Sequence, residues 1–320
     1  MNFYTLRSRS AWAVATVFLL ATTTSAATIV RFDTVLGSFD IQLYDDVMPV
    51  TVNNFLSYAD ADRYDGTVVH RNSDTQGRDF VIQGGGFTLV DPDPPNPAST
   101  ITFENVVDPN NPDTPINDEP GGGVAGPSNL RGTIAMAKSG PNTVTSQWFI
   151  NQGDNSFLDD PNRADGGFSA FGTVLGDGMT IVDAIGDLPL PNDFGFSISS
   201  PFNDLPLRDF NGSAINDIRV ANTVTVNSIS QLVVIPGDFN LDGSVDEDDL
   251  AIFDTGFGIA SGAFVDDGDA DMDGDVDGAD FLLWQANFGA TSALATVQSI
   301  PEPSSLALAV LGLLAFLKRR

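Results

Sequence analysis

Asp238, Asn240, Asp242, Asp246 and Asp249 occupy positions 1, 3, 5, 9 and 12 of a twelve-residue stretch, with Gly243 at position 6. The pattern returns 31 residues later as Asp269, Asp271, Asp273, Asp277 and Asp280 around Gly274. Oxygen ligands at these positions, with glycine at the sharp turn, are how a short loop wraps a hard cation such as Ca2+. Position 7 contributes its backbone carbonyl, so Ser244 and Asp275 need no particular side chain. Two structural Ca2+ sites are therefore expected. An apolar helical pattern follows each loop: Leu250, Ile252, Phe253 and Phe257, then Phe281, Leu283, Trp284 and Phe288. The alternative, an acidic linker with no ion, gives no reason for those large apolar side chains.

With Asp rather than Glu closing each loop, residues 236–290 resemble the dockerin type I module. The resemblance implies a small all-α unit of two loop-helix repeats and a cohesin-like protein partner. Stapling of a thin core by the metal is an equally sufficient use for the sites.

A second set of residues is spread along the chain. Val69-His70-Arg71 is followed by Phe80-Val81-Ile82-Gln83-Gly84-Gly85-Gly86, then by Gly132-Thr133-Ile134-Ala135-Met136-Ala137. Thr145-Ser146-Gln147-Trp148-Phe149-Ile150, Asn155-Ser156-Phe157-Leu158-Asp159 and Phe168-Ser169-Ala170-Phe171-Gly172 complete the series. In this order the segments resemble the cyclophilin family of peptidyl-prolyl cis-trans isomerases, over about Thr28 to Leu232. The resemblance implies Arg71, Phe80, Gln83 and Phe149 as catalytic residues. It implies Val81, Ala137, Gln147, Phe157, Leu158 and Phe168 as the substrate-binding surface, with proline-containing polypeptides as partners.

The implied chemistry is economical. Rotation about an X–Pro bond meets a barrier of ~18–20 kcal/mol because the nitrogen lone pair is delocalised into the carbonyl. A catalyst must localise that pair on nitrogen and hold the ring, which one fixed cation and an apolar pocket can do without a cofactor. His70, the single histidine, has no task in such a mechanism. Phe157 and Phe168 stand where the best-known eukaryotic members carry Trp and His, and Val81 where they carry Met. The segment between Arg71 and Phe80 is longer than the family's usual spacing and is able to displace Arg71. The same walls also suit a surface or matrix protein that binds Pro-containing segments without turnover, assembled through its calcium loops.

Forty-three acidic against 14 basic side chains give a net charge of −29, which excludes nucleic acid and anionic lipid surfaces as partners. The chain has no cysteine, so disulfides and thiolate metal sites are excluded. Arg7 and Arg9 precede the apolar run Ala11–Ala21 and small residues up to Ala27, the form of a secretory signal peptide over 1–27. After a linker at 291–300, Pro301-Glu302-Pro303, the apolar run Leu306–Leu317 and Lys318-Arg319-Arg320 resemble the PEP-CTERM sorting signal at 301–320. That resemblance implies export to the envelope, surface or matrix of a Gram-negative bacterium and an exosortase-like processing enzyme. Any membrane contact is then through the tail, and a simple anchor is the other reading.

The elements that must position these residues are short. Strands are expected at Thr28–Phe32, Ser38–Tyr44, Val68–His70, Phe80–Gln83, Thr133–Ala137, Trp148–Asn151 and Ala170–Val174. One helix starts at Pro49 and another spans Met179–Ile185, with Asp177 as its cap. Many strands and two helices predict a mainly β fold: a closed antiparallel barrel with capping helices over residues 28–232. Residues 91–128 and Gly186–Ser213 read as two long excursions, with order expected near Ile101–Val106.

Overall fold

A computed structural model describes residues 27–74, 79–91, 102–106, 114–120 and 123–292. The expected signal peptide before Ala27 and the expected sorting tail lie outside the described residues.

The first hairpin pairs β1 (Ile29–Thr34) with β2 (Gly37–Leu43), Ile29 opposite Gln42 and Thr34 opposite Gly37. Helix α1 (Pro49–Ala59) starts on a proline, whose missing N–H would be unpaired there in any case. Next come β3 (Arg71–Asp74), β4 (Asp79–Gly84), β5 (Phe87–Val90) and β6 (Thr102–Asn105). Strands β7 (Thr133–Met136), β8 (Trp148–Asn151) and β9 (Ala170–Val174), helix α2 (Met179–Gly186) and β10 (Val226–Gln231) follow. Eight strands form one antiparallel sheet in the order β10-β1-β2-β9-β7-β8-β4-β3, and β5 with β6 forms a separate hairpin.

The sheet curls into a half-barrel and does not close, contrary to the closed barrel expected. At the seam no continuous ladder forms among the described residues: an isolated bridge links Val68 to Thr225, and the Val226 N–H donates to the Thr67 carbonyl at 2.8 Å and the Val69 N–H to the Val224 carbonyl at 2.9 Å. The outer edge of β3 is occupied otherwise: the Asn72 N–H donates to the Asp204 carbonyl at 2.7 Å, and the Asn72 amide to the Gly186 carbonyl at 2.5 Å. The expected strand at Val68–His70 is accordingly this bridged seam, and the ladder begins at Arg71. Asp177 is not the cap of α2; Gly178 holds that position without a side-chain bond, and Asp177 lies in the preceding 3-10 turn.

Inside the curl, Phe32 stacks on Phe39 at 5.0 Å and meets Trp148 edge-on at 5.2 Å, while α1 inserts Phe55 at 6.0 Å. These side chains are fully or almost fully buried, each contributing roughly 1.5–3 kcal/mol of hydrophobic stabilisation. The stretch Gly186–Ser213 is a packed lobe: Ile198, Phe202, Leu205, Leu207 and Phe210 form a second core with Val68 and Leu89. Phe103 of β6 stacks on Phe202 in that core, so the order expected near Ile101–Val106 has a tertiary cause.

Beyond β10, the two acidic repeats each run into a helix, α3 (Glu247–Gly256) and α4 (Gly278–Asn287). Asp246 with Asp249, and Asp277 with Asp280, form reciprocal caps at the helix starts. The core of this part takes in Ile29 of β1 and Leu175, just after β9, beside Phe239, Val265 and Trp284. Further links are the Val265 N–H on Gln42 Oε1 at 3.0 Å and the Gly176 N–H on Asp266 Oδ2 at 2.6 Å. Among the described residues no helix is long and apolar enough to cross a membrane.

Candidate active site

Pairing of β3 with β4 sets Arg71 opposite Gln83, and pairing of β4 with β8 sets Gln83 opposite Phe149. Side chains at such positions share one face of a sheet. Arg71, Phe80, Val81, Gln83, Ala137, Phe149, Leu158 and Phe168 thereby line one cavity of about 330 Å³. Val81, Phe149 and Leu158 are buried with Ala135, and Phe80, Ala137 and Phe168 pack on them half-exposed. The long segment after Arg71 does not carry that residue out of the pocket.

The guanidinium is held on three sides. Arg71 Nη1 donates to Gln83 Oε1 at 3.3 Å, Nη2 donates to Ser73 Oγ at 3.0 Å, and Nε lies 3.7 Å from Asp204 Oδ2. Gln147 does not line the cavity; its Oε1 accepts from Gln83 Nε2 at 2.8 Å. Phe157 also stands outside the lining, 55% exposed, stacked on Phe80 at 5.8 Å. Phe168 meets Phe149 edge-on at 5.6 Å.

A buried amide network that sequence reasoning missed fixes the pocket walls. Asn155 Nδ2 donates to the Phe80 carbonyl and to Asn151 Oδ1, both at 2.9 Å. Asn129 Nδ2 donates to Asp159 Oδ1 at 2.8 Å and to the Phe168 carbonyl at 2.9 Å, and Asn151 Nδ2 reaches Asn129 Oδ1 at 3.2 Å. Asn155 and Asp159 flank Leu158 in sequence, so the motif that predicted Leu158 also contained its supports. Also missed were Lys138, Arg163 and Asp165, which line the cavity beside the predicted residues. His70 is buried and meets Phe87 edge-on at 4.9 Å. Burial pushes its imidazole down to about 4, against a raising hydrogen bond to the Val68 backbone.

The acidic repeats have near-identical loop geometry. Asp238 Oδ2 accepts from Gly243 N at 3.0 Å, and Asp269 Oδ2 from Gly274 N at 2.8 Å. Both glycines have φ of 90°, a left-handed conformation costly for other residues. Asp249 Oδ1 accepts from Phe239 N and Asp280 Oδ1 from Ala270 N, each at 2.8 Å. Asp238, Asp249, Asp269 and Asp280 are buried, and among the described residues none of them forms an ion pair. Burial, reinforced by neighbouring carboxylates, pushes Asp238 and Asp269 up to about 6. Asp271 Oδ1 is buried without a partner, and the oxygens of Asp269, Asp271 and Asp273 gather within 4.8 Å. The donor set fits a hard divalent cation.

The Arg71 guanidinium and the Gln83 amide thus stand at the wall of a largely apolar pocket. A family model described as cyclophilin type peptidyl-prolyl cis-trans isomerase/CLD matches residues 29–200. The peptidyl-prolyl cis-trans isomerase of Acinetobacter baylyi is 39% identical over 165 residues, covering 51% of this chain and 74% of that protein. Peptidyl-prolyl cis-trans isomerase A of Dickeya dadantii is 36% identical over 178 residues (55% and 80%). Peptidyl-prolyl cis-trans isomerase B of Escherichia coli is 36% identical over 160 residues (49% and 83%). The chain belongs to the cyclophilin-type peptidyl-prolyl cis-trans isomerase family, and its reaction requires no cofactor. The PEP-CTERM protein-sorting motif matches residues 299–320.

Proposed function

We propose that this isomerase turns X–Pro bonds in exported or extracellular proteins, with Arg71, Phe80, Gln83 and Phe149 as its catalytic residues. The observation that carries this reading is that the Arg71 guanidinium lines the same cavity as the Phe80, Phe149 and Leu158 side chains. The proline ring sits on Phe149 and Leu158 with Val81 beneath, while Phe157 and Phe168 form the lip. Gln83 and Gln147 hydrogen-bond the substrate backbone, and the small Ala137 leaves room for the residue before proline.

A planar amide nitrogen offers no lone pair. As the bond twists, the pair localises, and an Arg71 N–H can donate to it. The interaction exists only near the transition state, the condition for raising kcat rather than merely tightening binding. One such positioned donor is worth on the order of 10²–10³ in rate. Two-dimensional exchange spectroscopy of an Ala–Pro peptide with the purified chain tests the assignment; an exchange rate no faster than without protein would contradict it.

Residues 236–290 are read as a dockerin-like calcium module. Asp238, Asn240, Asp242, Ser244, Asp246 and Asp249 would hold one ion; Asp269, Asp271, Asp273, Asp275, Asp277 and Asp280 would hold the other. The ion supplies positive charge at carboxylates that otherwise crowd one another. A cohesin-like protein is the partner class, and the sorting motif makes an exosortase-like enzyme the processing partner. Residues 1–27 are read as a removable export signal, 28–232 as the isomerase domain and 301–320 as the sorting tail after a linker at 291–300.

A further inference from the structure

Three of the chain's 14 basic side chains, Arg71, Lys138 and Arg163, line the proline cavity of a protein whose net charge is −29. Two already have tasks. Arg71 is held by Gln83 and Ser73 beside Asp204. Lys138 Nζ, its side chain only 4% exposed, pairs with Asp118 Oδ2 at 2.8 Å and lies 5.4 Å from the Phe168 ring centre.

Arg163 differs. It belongs to the excursion between Leu158 and Phe168, whose ends the Phe168 N–H bond to the Leu158 carbonyl clips together at 2.8 Å. Its Nε and Nη2 donate to Asp165 Oδ1 and Oδ2 at 3.0 and 2.8 Å. Asp165 is fixed in turn, accepting from Gly167 N at 3.1 Å. Such a bidentate pair holds the guanidinium plane in one orientation. Among the described residues Arg163 Nη1 has no hydrogen-bond partner, and the side chain remains one-third exposed. A pre-oriented cation with a spare donor therefore lines the cavity beside Phe149, Leu158 and Phe168, with its partner Asp165 in the same lining.

We propose that Arg163 is a specificity-determining residue that favours a carboxylate side chain next to the bound proline. Glu–Pro and Pro–Glu segments are then better substrates than their alanine counterparts, and lysine in the same place is disfavoured. Distant carboxylates are screened beyond about 8 Å at physiological ionic strength, and the near one in the cavity, Asp165, is already paired with Arg163. The Pro301-Glu302-Pro303 triplet of the sorting motif presents a carboxylate between two prolines and supplies a natural probe. The proposal rests on the isomerase activity of the same pocket.

The test uses the full chain with matched peptides carrying Glu, Ala or Lys before proline, Glu after proline, and a Pro-Glu-Pro peptide. Exchange rates and binding affinities are measured separately. In kcat/KM the better Glu-placed peptide is expected to exceed Ala by about fivefold, the scale of a half-exposed ion pair. Lys is expected to fall below Ala, and 0.5 M salt to shrink the spread. Arg163→Gln, which leaves the Asp165 carboxylate unpaired in the same cavity, brings the Glu-to-Ala ratio to one or below. Equal ratios in the wild-type chain, or a ratio unchanged by Arg163→Gln, overturn the proposal; the wild-type series decides even if the variant misfolds. If no peptide is turned over, the isomerase activity fails, and the affinity ratios alone decide the role of Arg163.

Discussion

Gln83 and Gln147 are joined by an amide-to-amide hydrogen bond of 2.8 Å, and Gln83 in turn accepts from Arg71. Arg71 lies on β3, Gln83 on β4 and Gln147 just before β8, yet the three side chains form one chain of donors and acceptors that runs from the pocket wall outward. Their orientation depends on the glycine run after Gln83. A Cβ at Gly86 would stand 2.7 Å from Gln147 Cγ and Cδ and 2.9 Å from its Nε2.

Gly86→Ala is therefore expected to turn Gln147 away from Gln83 without expelling backbone. Loss of one positioned hydrogen bond predicts up to roughly a tenfold fall in kcat/KM on a Pro peptide. The unfolding midpoint should move little, because a flexible side chain gives way rather than the sheet. Paired rate and thermal-melt measurements check this; a wild-type rate would separate Gln147 from catalysis.

His70 predicts an acid-sensitive fold. Its imidazole is buried with Nδ1 unpartnered, and its value is lowered from 6.5 to about 4. The unfolded chain takes up the proton first, so the stabilisation is fully present above pH 6.5 and is lost as pH falls toward 4. The linked loss is about 3 kcal/mol. His70→Phe should flatten the slope of melting temperature against pH across this window. An unchanged slope would place the acid sensitivity elsewhere.

Calcium should act on the sheet as well as on the loops. Because Ile29 and Leu175 belong to the core of the acidic repeats, the whole chain is the appropriate sample. Two ions per chain and a rise in thermal midpoint on loading are expected by calorimetry. Asp238→Ala and Asp269→Ala should each remove one ion, and Mg2+ should substitute poorly because it demands a smaller octahedral shell. Absence of calcium-dependent heat would reduce the repeats to an acidic spacer.

Legibility in the sequence followed range. Short apolar runs bounded by turn residues marked β1, β2 and β8, and Pro49 marked the start of α1, since each signal lies within a few residues. The residues around Arg71 were readable because their order along the chain is itself a pattern. Asp204 beside Arg71 was not, nor the packing of Phe103 on Phe202, because those contacts join distant segments with no shared period. The open seam was hidden for the same reason: whether β3 pairs with β10 depends on what the Gly186–Ser213 lobe offers Asn72. Arg163 and Asp165 lay in a stretch of turn-forming residues, where ion pairing leaves no periodic trace.

Turnover in this pocket depends most directly on Arg71. Exchange spectroscopy of one Ala–Pro peptide should compare the wild-type chain with Arg71→Ala and Arg71→Lys, each checked for native circular dichroism. The geometry predicts a fall on the order of 10²–10³ for Arg71→Ala. Arg71→Lys should recover only part, since a point charge replaces a planar donor. Peptide affinity should change far less than rate. Equal exchange rates for folded wild type and folded Arg71→Ala would contradict the account.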